Sequence, residues 1–381
     1  MGMTPPLHIG MVAGEASGDV LAGLLLSGLR DHAWSYRAQG VGGAHMQAQG
    51  LEAWHSSDAL AVRGYVEVLR HYRRLLRLRD ELTQRWLSDA PDVFVGVDAP
   101  DFNLELARRL RSRGIKTVHF VCPSIWAWRA ERVGLIREAV DHVLCLFPFE
   151  PALLQAHGVA ATYVGHPLAS VLAPDPDPAA ARQSLGLSDR STVALLPGSR
   201  SAEVQHLLPR FLQAARLMQK RSGALQFVLP AVPALRSQID ALLARHGEGL
   251  HVRVLHGQSH AAMAAADVVL VASGTASLEV ALTQRPMVIA YHMSALSWWL
   301  HQRKRLQPWV GLPNILAETF LVPELLQEQA TPEALAAAVL AWFDAPQRVR
   351  QVKQRFADMR EQLHRPTGAL AAEALSEVCR A

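Results

Sequence analysis

Short apolar runs alternate with helix-length amphipathic stretches along most of the chain. The runs are rich in Val, Ile and Leu and lack a period of two, as strands buried on both faces do. They predict strands at 7–13, 92–97, 117–121, 142–147 and 162–164, and again at 192–196, 226–229, 252–255, 268–272 and 287–291. Helical patterns such as 102–113 and 202–221 lie between most of them. Strands alternating with helices imply the α/β class, with parallel sheets covered on both faces. The strands fall into two groups around "APDPDPAAA" (173–181), whose prolines and acids read as a linker. A chain of 381 residues holds two domains at roughly 100–200 residues each. We set them at 1–173 and 174–345, with the remaining helices over 346–381. Two Rossmann-like, doubly wound domains facing each other leave a central cleft at the carboxyl ends of their strands.

Several strand ends carry chemistry. "VAGEASGDV" (12–20) turns from strand to helix with Gly14 and Gly18, one glycine short of a dinucleotide fingerprint. It also carries Glu15, Ser17 and Asp19, and carboxylates repel a pyrophosphate. "VALLPGSRSAEV" (193–204) runs from a buried strand through Pro197 and Gly198 into a helix that Ser199 or Ser201 can cap. Free amides at that helix start attract an anion, and Arg200 adds a forked, permanent cation. "DVVLVASGTASLEVAL" (267–282) repeats the arrangement. Ser273, Gly274, Thr275 and Ala276 are small enough for a ligand to approach the backbone, and Glu279 stands one turn on, placed to accept two ribose hydroxyls. Each segment alone fits an ordinary βα turn equally well. Together they predict a nucleoside diphosphate site. Asn314, in "GLPNILA" (311–317), suits either a base or sugar contact or turn chemistry.

The first half offers an acid. Asp98, in "VFVGVDAPDFNLELARRLR" (93–111), ends a buried strand, where it serves either as a general base or as a hydrogen-bonded structural carboxylate. Asp101, just before the helical pattern, is expected to be an N-cap. Trp126 and Trp128 form either an aromatic wall for a sugar or lipid, or packing between sheet and loop. His166, in "VGHPLAS", reads as structural.

Composition narrows the partners. The net charge of +4 is too mild to predict nucleic-acid binding. Cys122, Cys145 and Cys379 are odd in number and widely spaced, which fits a reducing compartment and no metal pattern. "MGMTPPLHIG" lacks the plan of a signal peptide, and the longest uncharged run, between Arg285 and Arg303, is broken by His292, His301 and Gln302. A cytoplasmic protein is expected. Plotted as a helix, "YVEVLRHYRRLLRLR" (65–79) gathers Tyr65, Val68, Leu69, Tyr72, Leu75 and Leu76 on one side and Arg70, Arg73, Arg74 and Arg77 on another. Such a helix either packs on its own sheet or lies on a membrane surface. "WWLHQRKRL" (298–306) is a second aromatic and basic patch.

Taken in order, "GEASGD", "VGVDAPDFN", "PSIWAWR", "GHPL", "LPGSRSAEV", "SGTASLE" and "PNILAE…LVPELLQ" resemble the lipid-A-disaccharide synthases, from about residue 10 to residue 330. The resemblance implies a GT-B glycosyltransferase without metal or other cofactor. It implies inverting transfer of 2,3-diacylglucosamine from its UDP-linked form to 2,3-diacylglucosamine 1-phosphate, giving a β-1,6 disaccharide and UDP. It makes Asp98 the base. Glu15, Ser17, Asp19 and Trp126 would meet the acceptor. Gly198, Ser199, Arg200, Ser273, Gly274, Thr275, Ala276, Glu279 and Asn314 would meet the nucleotide sugar. Val68, Leu69, Tyr72, Leu75 and Leu76 would touch the cytoplasmic face of the inner membrane, with peripheral attachment. Helices 346–381 would return to an N-terminal domain, their own or that of a second subunit in a homodimer. The alternatives are a peptidoglycan-type transferase of the same fold, a non-hydrolysing UDP-N-acetylglucosamine epimerase, and a nucleotide-sugar-binding regulator without catalysis.

Overall fold

The computed structural model describes residues 6–60, 68–127, 130–223, 225–293, 298 and 306–380. The chain divides into two units, 1–167 with 363–381, and 168–362. In the first unit the elements are β1 (Leu7–Ala13), α1 (Ala16–Asp31), β2 (Tyr36–Gly42), α2 (Ala44–Ala48), β3 (Leu51–Ser56), α3 (Val68–Ser88), β4 (Val93–Val97), α4 (Pro100–Arg111), β5 (Lys116–Phe120), α5 (Arg132–Ala139), β6 (His142–Cys145), α6 (Glu150–Gln155) and β7 (Ala161–Tyr163). The second unit holds α7 (Leu168–Val171), α8 (Pro178–Ser184), β8 (Thr192–Leu196), α9 (Ser201–Arg221), β9 (Gln226–Ala231), α10 (Arg236–His246), β10 (Val252–His256), α11 (Ser259–Ala265), β11 (Val268–Ala272), α12 (Thr275–Leu282), β12 (Met287–Tyr291), α13 (Leu312–Ala317), β13 (Glu324–Leu326), α14 (Pro332–Phe343) and α15 (Pro346–Leu363). The chain ends in α16 (Thr367–Arg380).

Both sheets are parallel. The first has the order β3-β2-β1-β4-β5-β6-β7 and the second β10-β9-β8-β11-β12-β13. In each, the order reverses beside its first strand, the place where open α/β sheets leave a crevice at the strand ends. The first sheet is buried on both faces, as its apolar runs require. Ile9, Met11 and Ala13 of β1 and Val93, Val95 and Val97 of β4 join α1 and α16 on one side. Val12 and Phe94 face the other way, toward Leu82 and Trp86 of α3 and Leu104 and Leu106 of α4.

Three strands have no counterpart among the predicted runs. β2 (YRAQGVG) and β3 (LEAWHS) are broken by glycine and polar residues, and β13 is only three residues long. Pairing with neighbours, rather than local hydrophobicity, makes them strands. α15 also departs from its grouping with the last helix, because nearly all of it goes with the second unit. The Arg348 guanidinium lies over the Trp342 ring, and Lys353 Nζ meets Asp175 at 2.8 Å. α16 instead packs on α1 with backbone touching backbone, since a Cβ added at Gly28 would lie 2.1 Å from the carbonyl oxygen of Gly368.

α3 is amphipathic, but its apolar side differs from the one expected for a membrane contact. Leu75 packs against the core together with Leu78, Leu82 and Trp86. Tyr72 is exposed and Leu76 is half-buried, while Arg73, Arg74 and Arg77 face solvent. Leu75, expected at a membrane surface, is partly buried against the core. The side chains of Val68, Leu69 and Arg70, and the whole of Tyr65, lie outside the described residues, as does most of the 298–306 patch. Among the described residues no helix is long and apolar enough to cross a membrane.

Candidate functional site

In the second unit the two phosphate-style turns come together. The carboxyl ends of β8 and β11 and the helix starts that follow them border a cavity of about 330 Å³. Its lining includes Gly198, Ser199, Arg200, Ser273, Gly274, Thr275, Ala276 and Glu279. Gly274 has φ +147, which L side chains rarely adopt, and α12 starts there with no side chain capping its amides. That leaves a helix N-terminus open to an anion. The Ser273 hydroxyl is turned away and donates to the Val310 carbonyl at 3.0 Å.

The β8–α9 turn is built differently from its expectation. Neither Ser199 nor Ser201 caps α9. The Glu203 carboxylate accepts from the amides of Ser199 and Arg200 at 3.1 and 3.2 Å, and Arg200 Nη1 donates to it at 3.0 Å. Glutamate at the third helical position can reach back to the free amides before it. The Arg200 side chain is 81% exposed, so its held end is released at little cost when a stronger anion arrives. Glu279 pairs with a second unforeseen residue, His260, at 3.1 Å. That hydrogen bond, opposed by partial burial, raises the pKa of His260. The only sequence signal for Glu203 was its place three residues after the N-cap, and His260 had none.

Asn314 does not line the cavity. It is fully buried, and its amide nitrogen donates to Val322 O and Glu324 Oε1 while its oxygen accepts from Val322 N. This corrects the expected sugar contact to a tie between α13 and β13.

In the first unit Glu15 and Ser17 are exposed at the start of α1. Asp19 is buried and committed: Oδ1 accepts from Gly43 N and Met46 N, and Oδ2 from His45 N at 2.9 Å. It holds the start of α2, which corrects its expected acceptor contact and explains why an acid follows the glycine-bearing turn. Asp101 is corrected too. Ala99 is the N-cap of α4, and Asp101 pairs with Arg132 from the first turn. Trp126 is half-buried, with its indole N–H on Glu150 Oε1 at 3.0 Å and its ring edge-on to Phe147 and Phe149. Trp128 is outside the described residues. His166 is buried against Phe147, and burial depresses its pKa to about 4.

Asp98 follows the last ladder pair of β4. Its backbone and that of Ala99 are both left-handed, with φ of 53° and 42°. Such non-glycine residues cost on the order of 1–3 kcal/mol each and persist where the surroundings over-determine them. Burial raises the pKa of the Asp98 carboxyl, and a backbone hydrogen bond from Ala99 offsets part of the rise. Among the described residues no three His, Cys, Asp or Glu side chains converge as metal ligands.

The lipid-A-disaccharide synthetase family model matches residues 9–379. The chain belongs to this family. It is 56% identical over 378 residues to the lipid-A-disaccharide synthase of Albidiferax ferrireducens, covering 98% of this chain and 97% of that protein. It is 53% identical over 382 residues to that of Verminephrobacter eiseniae, covering 99% and 98%. Family membership makes the chain an enzyme, a glycosyltransferase. Solved structures agree on the fold. MurG of Acinetobacter baumannii superposes with a TM-score of 0.57 at 16% identity over 98% of this chain and 100% of that one. The UDP-GlcNAc 2-epimerase of Neisseria meningitidis, solved with UDP-GlcNAc, gives 0.60 at 12% over 97% and 98%. The fold is GT-B.

Proposed function

We propose that the chain transfers 2,3-diacylglucosamine from UDP-2,3-diacylglucosamine to 2,3-diacylglucosamine 1-phosphate, with inversion at the anomeric carbon. The products are the β-1,6-linked disaccharide 1-phosphate and UDP. The observation that carries the donor half is the cavity in which both phosphate-style turns meet, in a chain of this family. The diphosphate lies against the open amides of Thr275 and Ala276, and Arg200 leaves Glu203 to meet it. Glu279 takes the ribose hydroxyls, and its pairing with His260 holds it ready. As the bond to the sugar breaks, negative charge grows on UDP, and fixed donors stabilise that growing charge more than the ground state.

Asp98 supplies the other half. It accepts the proton of the acceptor hydroxyl while that oxygen attacks the anomeric carbon. Its raised pKa makes it a better proton acceptor than an exposed aspartate, and the strained turn supports a functional placement. Glu15, Ser17 and Trp126 contact the acceptor in this scheme. The enzyme works at the cytoplasmic face of the inner membrane, where exposed Tyr72 and the arginines of α3 suit a headgroup boundary. Mass spectrometry of the products from both diacyl substrates tests the assignment. The expected result is one disaccharide 1-phosphate and one UDP. Epimerised donor formed without acceptor would point instead to the isomerase.

A further inference from the structure

Asn103 is fully buried one turn into α4. Its amide nitrogen donates to three carbonyl oxygens, those of Val12 at 3.4 Å, Val97 at 3.2 Å and Asp98 at 2.8 Å. These carbonyls lie where the sheet runs out. Ala13 and Val97 are the last residues paired between β1 and β4, so the Asp98 carbonyl has no ladder partner there. Three acceptors on one side also fix which way the amide faces, since the flipped side chain would set oxygen against oxygen. One short side chain thus joins the end of β1, where the Glu15 turn starts, to the left-handed turn at Asp98 and Ala99.

We propose that Asn103 is a positioning residue for the transfer reaction: it fixes the turn that aims the Asp98 carboxylate. The proposal rests on Asp98 being the base. A packing role alone fits the surroundings poorly. Asn103 Oδ1 and both ring nitrogens of His119 have no hydrogen-bond partner among the described residues, and a Cβ added at Gly96 would lie 2.8 Å from Asn103 Cβ and 3.4 Å from His119 Nδ1. Unsatisfied buried polar atoms are costly, so a site that served packing alone would favour an apolar side chain. The amide nitrogen reaches all three carbonyls, which an apolar side chain of the same shape could not serve.

The test is a cycle of Asn103→Ala, Asp98→Asn and the double variant in the full chain, reading disaccharide turnover, KM for both substrates, UDP affinity and thermal unfolding. Asn103→Ala is expected to lower kcat by about 10–100-fold, the scale of a misplacement near 1 Å. KM and UDP affinity should hold, and the double variant should be no slower than Asp98→Asn. Wild-type kcat in Asn103→Ala beside a slow Asp98→Asn overturns the Asn103 proposal alone. Losses that multiply in the double variant also overturn it, because Asn103 would then act independently of Asp98. Wild-type turnover in Asp98→Asn overturns the base assignment itself. If Asn103→Ala does not fold, Asn103→Ser keeps a shorter donor and enters the same cycle, judged by the same outcomes.

Discussion

Desolvation raises the Asp98 pKa above its ordinary 3.8, and a general base works only when ionised. Turnover should therefore fall as pH drops through a value above the usual aspartate range. Asp98→Asn should lower kcat by about 10²–10⁴-fold, the contribution typical of a general base. Stability moves the other way. A group whose folded pKa is raised gives its stabilisation below the unfolded pKa and loses it as pH rises through the folded one. Asp98→Asn should thus melt no lower than the parent at pH 7 in a thermal scan. Glu150 shows the same linkage more strongly, since burial pushes it from 4.5 up to about 7 despite hydrogen bonds from Phe147, Trp126 and Leu146. Its ionisation should cost on the order of 3 kcal/mol of stability across that interval. Relative to Glu150→Gln, the parent should lose stability between pH 5 and pH 8, as paired denaturant titrations would show. Arg200 acts on the leaving group, so Arg200→Ala should weaken UDP binding by calorimetry. It should also lower kcat by about 10²–10³-fold, the usual loss for one charge-stabilising donor.

At the scale of elements, the contact between α1 and α16 is the most exacting. Both helices are thinned to glycine where they cross, and the approach at Gly28 leaves no room for a methyl group. Gly28→Val should push α16 away and uncover Ala371, Ala372 and Leu375. Overpacking of this kind costs roughly 1–3 kcal/mol, which a denaturant titration would register, and faster proteolysis of the last helix should accompany it. α15 should be spared, because Trp342 and Asp175 hold it to the second unit. α3 shows an element serving two surfaces. Leu75, Leu78, Leu82 and Trp86 bind it to the sheet, and Arg73, Arg74 and Arg77 face outward.

At the scale of the whole molecule, the proposed reaction on acylated sugars calls for a surface that meets a bilayer. Exposed Tyr72 and the arginines of α3 predict binding to anionic vesicles that weakens with added salt, because surface charges are screened. Leu69→Ser with Leu76→Ser should release the protein from vesicles in a flotation assay while leaving UDP affinity intact. Unfolding of that double variant, or unaltered flotation, would assign the helix to the core and the membrane contact to another surface.

The sequence by itself determined the class, the two parallel sheets and the turns at 193–204 and 267–282, because each depends on a local pattern: an apolar run, a glycine, a helix start. It also singled out Asp98, since a polar residue ending an apolar strand is visible in one dimension. Tertiary structure decided the rest. β2 and β3 become strands only by pairing beside β1. Asp19 and Asn314 look like ligand contacts until their partners, 24 and 8 residues away, are seen to use them. His260 and Asn103 matter through neighbours brought to them by folding, and a hydrogen bond between distant residues leaves no periodicity along the chain.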